Sequence, residues 1–270
     1  MKLIKKIYLI LILLFLYAPI GVLFFLSFNN SRSRSYWGGF TLNWYKELLL
    51  DPDILQACWN SLSVAFISAS IATIIGTCAA ICIFNLKKMF KNFVLYITKI
   101  PMINPDIVTG VSLMILFIFL FNLLKFGGFG YFTLLLSHII FNVPYVIFSV
   151  LPRLNYLNNN TFEAALDLGA TPSYALRKII LPEIMPGVIT GFLFAFTLSI
   201  DDFIVSFFNT GSGVNNISVL IYSMTRLGIN PKINALSSLM FICVLILLYL
   251  VNKRDLILNR DKNSAGEDNE

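Results

Sequence analysis

The chain has 270 residues, of which 57% are hydrophobic and only 13% carry a charge. Soluble domains carry roughly twice that charged fraction, so this composition excludes a water-soluble globular protein and indicates a membrane protein. The net charge of +6 would suit nucleic-acid binding, but the basic residues lie in short clusters between apolar runs, which argues against that class. The cysteines lack paired CxxC spacing and predict neither a zinc site nor a disulfide framework.

Six apolar segments predict transmembrane helices, because each has close to the ~20 residues that a helix needs to cross the hydrocarbon core. They are residues 7–28, 61–84, 107–124, 131–150, 184–208 and 235–251. The first follows three lysines, as a secretory signal would, but it is longer than the roughly 7 to 15 residues of a signal core, so we expect an uncleaved anchor. Backbone groups in lipid must be satisfied within each segment, so the predicted fold is an all-α integral membrane bundle over residues 1–251.

The lysines and arginines between these segments predict the orientation of the chain in the membrane. If the N-terminus is inside, three outer segments hold six of these residues and the inner segments hold fourteen. Because positively charged loops stay in the cytoplasm, both termini are expected there. Residues 252–270 are polar, of mixed charge and without apolar periodicity, and we expect a partly disordered cytoplasmic tail.

The inner segment between the fourth and fifth spans contains signals for a first short helix. Asn160 begins an Asn-x-x-Glu sequence with Glu163, which is typical of a capping box at a helix start. The helix is expected to end at Gly169, because glycine best adopts the left-handed conformation found after helix ends.

A second short helix is predicted directly afterwards. Thr171 and Pro172 have the residue types of an N-cap and a first helical position, and Pro182 is expected to end the helix. Residues 160–182 are therefore predicted to form a cytoplasmic helical elbow. Taken alone, such an elbow can either transmit movement between packed helices or serve as a structural connector.

The elbow resembles the EAA loop of ABC importer permeases at every spaced position. The matching residues are Glu163, Ala164, Ala165, Gly169, Ile179, Leu181 and Pro182. In that family the loop is a coupling helix that docks on a cytoplasmic ATPase, so the resemblance implies a type I ABC importer permease bundle of six transmembrane helices with these residues as coupling residues. The chain has no GxxxxGK[ST] phosphate-binding loop, so ATP and Mg are expected on a partner ATPase, and no cofactor, metal or catalytic residue is expected here.

Two adjacent carboxylates, Asp201 and Asp202, lie within the fifth predicted span. Charges inside a membrane are costly and usually functional, and a polycationic cargo would supply counter-charges, so both are candidates for the substrate path. On a continuous helix their side chains would point about 100° apart. The alternative is that they bond Thr197, Ser199 or Ser206 nearby, or a cation of a partner subunit, and only fix helix packing.

The resemblance extends along nearly the whole chain to the second, C-type permease subunits of spermidine/putrescine uptake systems. It rests on SFNNSRSRSYWGGFTLNWY after the first span, PDIVTGVSL at the third, FTLSIDDFIVSFFNTG in the fifth and IYSMTRLGINPKINALSS before and into the sixth. It implies a bacterial inner-membrane subunit that forms half of a translocation pathway for polyamines. The implied partners are a second, homologous permease, two ATPase subunits and an extracytoplasmic polyamine-binding protein.

Three rival functions remain at this stage. The EAA pattern is shared by importers of other solutes, such as an oxyanion, iron or a phosphonate. A membrane-embedded aspartyl enzyme would use the two carboxylates as a pair sharing a proton, but such pairs lie on facing helices rather than in adjacent positions. A self-contained channel or secondary transporter often shows internal repeats, and we find none that is convincing.

His138, the only histidine, is expected to be a packed side chain with a satisfied hydrogen bond rather than a metal ligand.

Overall fold

The computed structural model describes residues 2–31, 36–125, 127–157, 164–211, 213–227 and 231–246. In these ranges the regular structure is helical, apart from an isolated bridge between Asn29 and Phe40. The helices are α1 (Lys2–Leu26), α2 (Asn43–Leu50), α3 (Pro52–Phe84), α4 (Lys88–Ile103), α5 (Asp106–Leu124), α6 (Tyr131–Asn155), α7 (Pro172–Asp201), α8 (Ile204–Asn209), α9 (Ile217–Leu227) and α10 (Pro231–Ile246). The predicted all-α fold is confirmed, whereas the predicted tail, 252–270, lies outside the described residues.

Among the described residues, α1, α3, α5, α6 and α7 are long and apolar enough to cross a membrane. They coincide with the first five predicted spans, and α10 contains the first part of the sixth. The fifth span differs from its prediction in an important way. It was expected to run unbroken over 184–208, but α7 begins at Pro172 and ends at Asp201, and α8 follows after a break.

The described residues group into two compact units, of which the first comprises residues up to Trp59 together with those from Asn216 onward. Its core is formed by side chains of α2, the first turns of α3, α9 and α10, namely Trp44, Leu48, Ile54, Ala57, Ile217, Ala235 and Leu236. The indole N–H of Trp44 donates to the carbonyl oxygen of Asn29 at 2.8 Å, so its polar atom is satisfied although the side chain is buried. In this unit α1 has an apolar surface and no buried residue in its membrane-length window, as expected of a helix surrounded by lipid.

The second unit comprises residues 60–215 and is built around α6. Val146, Val150 and Leu154 of α6 belong to a core that also contains residues of α3 and α7. Two glycines allow the close approach of these helices. A Cβ atom on Gly76 would lie 2.7 Å from Cβ of Val146, and one on Gly187 would lie 2.9 Å from the carbonyl oxygen of Ser149. Small residues at such contacts let membrane helices gain packing energy where lipid provides no hydrophobic driving force.

Candidate functional site

The described part of the elbow begins with one helical turn over residues 164–167, which carries Ala164 and Ala165. Asn160 and Glu163, the predicted capping pair, lie outside the described residues. The first short helix is therefore observed only at its C-terminal end.

The turn ends with the bonding pattern of a Schellman motif around Gly169. The Gly169 N–H donates to the carbonyl oxygen of Leu166 at 2.9 Å, and the Ala170 N–H donates to that of Ala165 at 3.0 Å. The φ angle of Gly169 is +86°. Residues with a Cβ are strained in this conformation, so the predicted left-handed end of the helix at this glycine is confirmed.

The chain then restarts as predicted, with Thr171 as N-cap and Pro172 as the first helical residue. The Thr171 hydroxyl accepts a hydrogen bond from the backbone N–H of Tyr174 at 3.4 Å, which satisfies one of the free amides at the helix start. Since proline has no N–H to leave unpaired, it fits the first position without cost.

The predicted end of this helix at Pro182 is wrong. Leu176–Ile180 form a π turn, in which the Leu181 N–H bonds to the carbonyl oxygen of Leu176, and the helix continues to Asp201. A π turn accommodates an extra residue, so the backbone changes register just before the proline ring that would otherwise collide with the preceding turn. Ile179, Leu181 and Pro182 thus lie in one continuous helix that joins the elbow to the fifth span.

The elbow presents apolar side chains to its surroundings. Leu168 is 89% exposed and Tyr174 is 58% exposed, and both line a shallow groove with Ala165, Gly169 and Ala170. A contiguous apolar patch of this kind is typical of a protein interaction surface. Two residues of the EAA pattern, Ala165 and Gly169, therefore lie on one accessible surface.

The second candidate site lies at the break between α7 and α8. Asp202 has an extended backbone, with φ −65° and ψ 124°, and ends α7. Because the helix is broken here, the first backbone N–H groups of α8 have no acceptor within the helix. The Asp202 carboxylate supplies one. Oδ1 accepts from the Val205 N–H at 3.2 Å, and Oδ2 accepts from the Ser206 N–H at 2.7 Å and from the Ser206 hydroxyl at 2.8 Å. Aspartate favours such capping positions over helix interiors, which explains why the span breaks here.

His138 of α6 lies beneath this cap. Its side chain is 1% exposed and that of Asp202 is 6% exposed, and Nε2 lies 3.7 Å from Oδ2 of Asp202. The same Nε2 atom is 3.0 Å from the hydroxyl of Ser206. The expectation that His138 is a packed, hydrogen-bonded side chain is confirmed, and for Asp202 the alternative of bonding to Ser206 is confirmed.

Asp201 differs from its neighbour, because it is the last residue of α7 and is exposed. The two carboxylates therefore have different environments although they are adjacent in sequence. Nothing in the sequence distinguished them, because a continuous helix was expected, and nothing indicated that His138 lies against Asp202. The 64-residue separation of His138 and Asp202 leaves no local signal that could have joined them.

Comparison with known proteins agrees with these features. Residues 72–254 match the family described as binding-protein-dependent transport system inner membrane component. The chain belongs to this family. The predicted membership of the ABC importer permeases is confirmed, and the permease is a membrane subunit of a transporter.

Curated relatives cover nearly the whole permease. It is 39% identical over 253 residues to the spermidine/putrescine transport system permease protein PotC of Escherichia coli strain K12, which covers 94% of this chain and 93% of that protein. It is 40% identical over 228 residues to the putrescine transport system permease protein PotI of the same strain, with 83% and 81% covered. A PotC homolog of Mycoplasma genitalium is 30% identical over 277 residues, with 95% of each chain covered. The predicted resemblance to polyamine-system permeases is confirmed.

Solved structures show the fold. A chain of a bacterial ABC transporter involved in import of the acidic polysaccharide alginate superposes with a TM-score of 0.70 at 17% identity, covering 94% of the permease and 93% of that chain. A chain of the MetNI methionine ABC transporter gives a TM-score of 0.59 at 20% identity, with 74% and 93% covered. The predicted type I ABC importer permease bundle is confirmed.

Proposed function

We propose that this permease carries polyamines such as spermidine and putrescine across the membrane, as half of the translocation pathway of an ATP-driven importer. The observation that carries the proposal is the identity of 39% and 40% with permeases whose names state that cargo. Membership of the transporter family also argues against the membrane-embedded aspartyl enzyme, since Asp201 and Asp202 are consecutive on one chain segment rather than on facing helices.

Asp201 is the residue that we assign to the cargo path. A carboxylate within a membrane costs from about 2.5 kcal/mol upward, so an exposed one needs a wet cavity or a counter-charge. A polyamine carries several ammonium groups and supplies that counter-charge during passage. Asp202 already accepts hydrogen bonds from Val205 and Ser206, so its charge is partly compensated within the chain.

The coupling role is assigned to the elbow residues Glu163, Ala164, Ala165, Gly169, Ile179, Leu181 and Pro182. In this proposal two ATPase subunits bind ATP and Mg, and their closure pushes on the elbow. The continuity of the elbow with α7 supports the transmission of such a push into the fifth span, because packed helices move as rigid bodies. A second, homologous permease completes the pathway, and an external binding protein delivers the polyamine in a cycle of alternating access.

The test is uptake of labelled spermidine and putrescine by vesicles containing the complete importer. Asp201→Asn should raise the KM for uptake by about tenfold, which corresponds to ~1.4 kcal/mol of lost cation binding. Asp53→Asn is the matched control, because Asp53 is also exposed but lies in the first turn of α3, and it should leave uptake unchanged. Transport of an anion but of no amine would overturn the polyamine cargo. Normal polyamine uptake by Asp201→Asn would instead overturn the assignment of Asp201 to the cargo path.

A further inference from the structure

The hydrogen bonds at the break have a definite direction. The Ser206 hydroxyl has one proton and donates it to Oδ2 of Asp202, because an ionised carboxylate can only accept. The hydroxyl oxygen must then accept from Nε2 of His138, which lies 3.0 Å away. The histidine therefore carries a proton on Nε2, and the chain of donors runs from His138 through Ser206 to Asp202.

Neighbouring hydrogen bonds attach α6 to the chain on both sides of the break. Before it, the side-chain amide of Asn142 donates to the Ser199 hydroxyl of α7 at 2.7 Å. After it, the Thr133 hydroxyl donates to the carbonyl oxygen of Asn209, at the end of α8, at 2.8 Å. His138 lies between these two residues on α6 and contacts the break itself. Buried polar bonds of this kind specify one arrangement of helices rather than adding much stability.

We propose that His138 is a positioning residue for transport, which fixes the break in the fifth span by donating from Nε2 through Ser206 to Asp202, and thereby sets the direction of Asp201. The proposal rests on the proposed function only for the cargo role of Asp201. Asp202 is in this view a structural carboxylate, and the exposed neighbour that it orients is the one that meets the cation. Without the N–H donor of His138, the hydrogen bonds between Ser206 and Asp202 are no longer held in place, and the last turn of α7 can shift.

The first test compares two side chains of similar length at this position. His138→Gln keeps an N–H donor near the place of Nε2, whereas His138→Met fills similar space without a donor. We expect His138→Gln to keep spermidine uptake by the full importer within about twofold. His138→Met should lower uptake by about tenfold, because it removes the hydrogen bond that His138 donates to the buried Ser206 hydroxyl. Quantification of the permease in the membrane normalises both rates.

The second test measures how accessible position 201 is from the cargo path, in the absence of cargo. Asp201→Cys, in a background without the native cysteines, is labelled with a cationic thiol reagent in the assembled complex. We expect labelling at position 201 to be at least fivefold slower with His138→Met than with His138→Gln, because loss of the hydrogen bond to Ser206 lets the end of α7 move away from its native position. Lys125→Cys, in the exposed loop after α5, is the control and should react equally in both backgrounds.

Equal uptake by the Gln and Met variants, or better uptake by the Met variant, would show that hydrogen-bond donation by His138 is not required. Failure of both variants would show that donation at this position is not what transport depends on. Unchanged labelling at position 201 would show that the break does not orient this residue. Because labelling needs no substrate, a wrong assignment of the polyamine cargo would change the uptake experiment and leave the labelling result intact.

Discussion

At the scale of single residues, Asp201 and Asp202 show how adjacent, identical side chains acquire different roles. Asp202 is 6% exposed in its side chain and accepts three hydrogen bonds at the start of α8. Asp201 is exposed and lies at the last position of α7. A carboxylate that accepts hydrogen bonds from otherwise unpaired backbone N–H groups stabilises the fold. A carboxylate without such bonds that faces the cargo path can bind a cation.

Substitution of the two aspartates should therefore separate stability from transport. Asp202→Asn replaces one accepting carboxylate oxygen by an NH2 group, which cannot accept from the surrounding N–H and O–H donors. The substitution should lower the free energy of unfolding by about 1 to 3 kcal/mol. We expect a lower midpoint of thermal unfolding in detergent, followed by the fluorescence of a thiol-reactive dye. Asp201→Asn is the control and should leave the midpoint close to that of the native permease. Equal midpoints for both variants would contradict the structural role of Asp202.

The glycine of the elbow gives a second prediction at this scale. Gly169→Leu forces a residue with a Cβ to a φ of +86°, which costs about 1 kcal/mol or more and favours a different course of the elbow. We expect normal membrane insertion but a loss of uptake and of substrate-stimulated ATP hydrolysis by the importer.

Gly39→Leu is the matched control for this experiment. Gly39 also has a positive φ, +98°, and a Cβ there would meet no atom within 4 Å, as at Gly169. It lies far along the chain from the elbow and should not affect coupling. Normal coupling in Gly169→Leu, or equal loss in both variants, would contradict a specific role of the elbow.

At the scale of elements, α6 and α7 pack closely against each other beside the site. A side chain at position 187 meets the backbone of Ser149, which cannot move aside without separating the two helices. Gly187→Leu should therefore cost about 1 to 3 kcal/mol through overpacking, and the yield and thermal midpoint of the permease should fall. Gly128→Leu is the control, because a Cβ at Gly128 would meet no atom within 4 Å. An unchanged midpoint in Gly187→Leu would show that the helices separate at little cost.

Two elements depart from what periodicity predicts. The helix α4 was not predicted, because its lysines and Pro101 interrupt the apolar pattern and its 16 residues are too few to cross the membrane. Val94 and Leu95 of α4 nevertheless pack against the core of the second unit. The π turn at Leu176–Ile180 joins two segments that were expected to be separate helices, since a register change of this kind leaves no mark in an apolar pattern.

At the scale of the whole molecule, the distribution of lysines and arginines between the spans predicts the orientation of the permease in the membrane. Six lysines and arginines lie in the predicted outer segments and fourteen in the inner ones. A fluorescent protein fused after Glu270 should therefore fluoresce, because it folds in the cytoplasm. Alkaline phosphatase fused after Lys125 should be active and the same enzyme fused after Lys88 should be inactive. The opposite pattern would place both termini outside.

The sequence by itself determined that this is a helical membrane protein, where its first four membrane spans lie, and which family it belongs to. These follow from local properties, because span length, charge between spans and the spacing of the EAA residues are all contained in short stretches of chain. Gly169 and Thr171 were also predictable, since each acts on amides within a few residues of itself.

Only the tertiary structure decided that the fifth span is broken and that its two aspartates differ. The reason is that the outcome depends on a competition between bonds within one helix and bonds to another. Aspartate is tolerated in a continuous helix or caps a broken one, and His138, 64 residues earlier in the chain, lies under the cap that the broken form makes with Ser206. Contacts between distant segments exist only after the helices have packed.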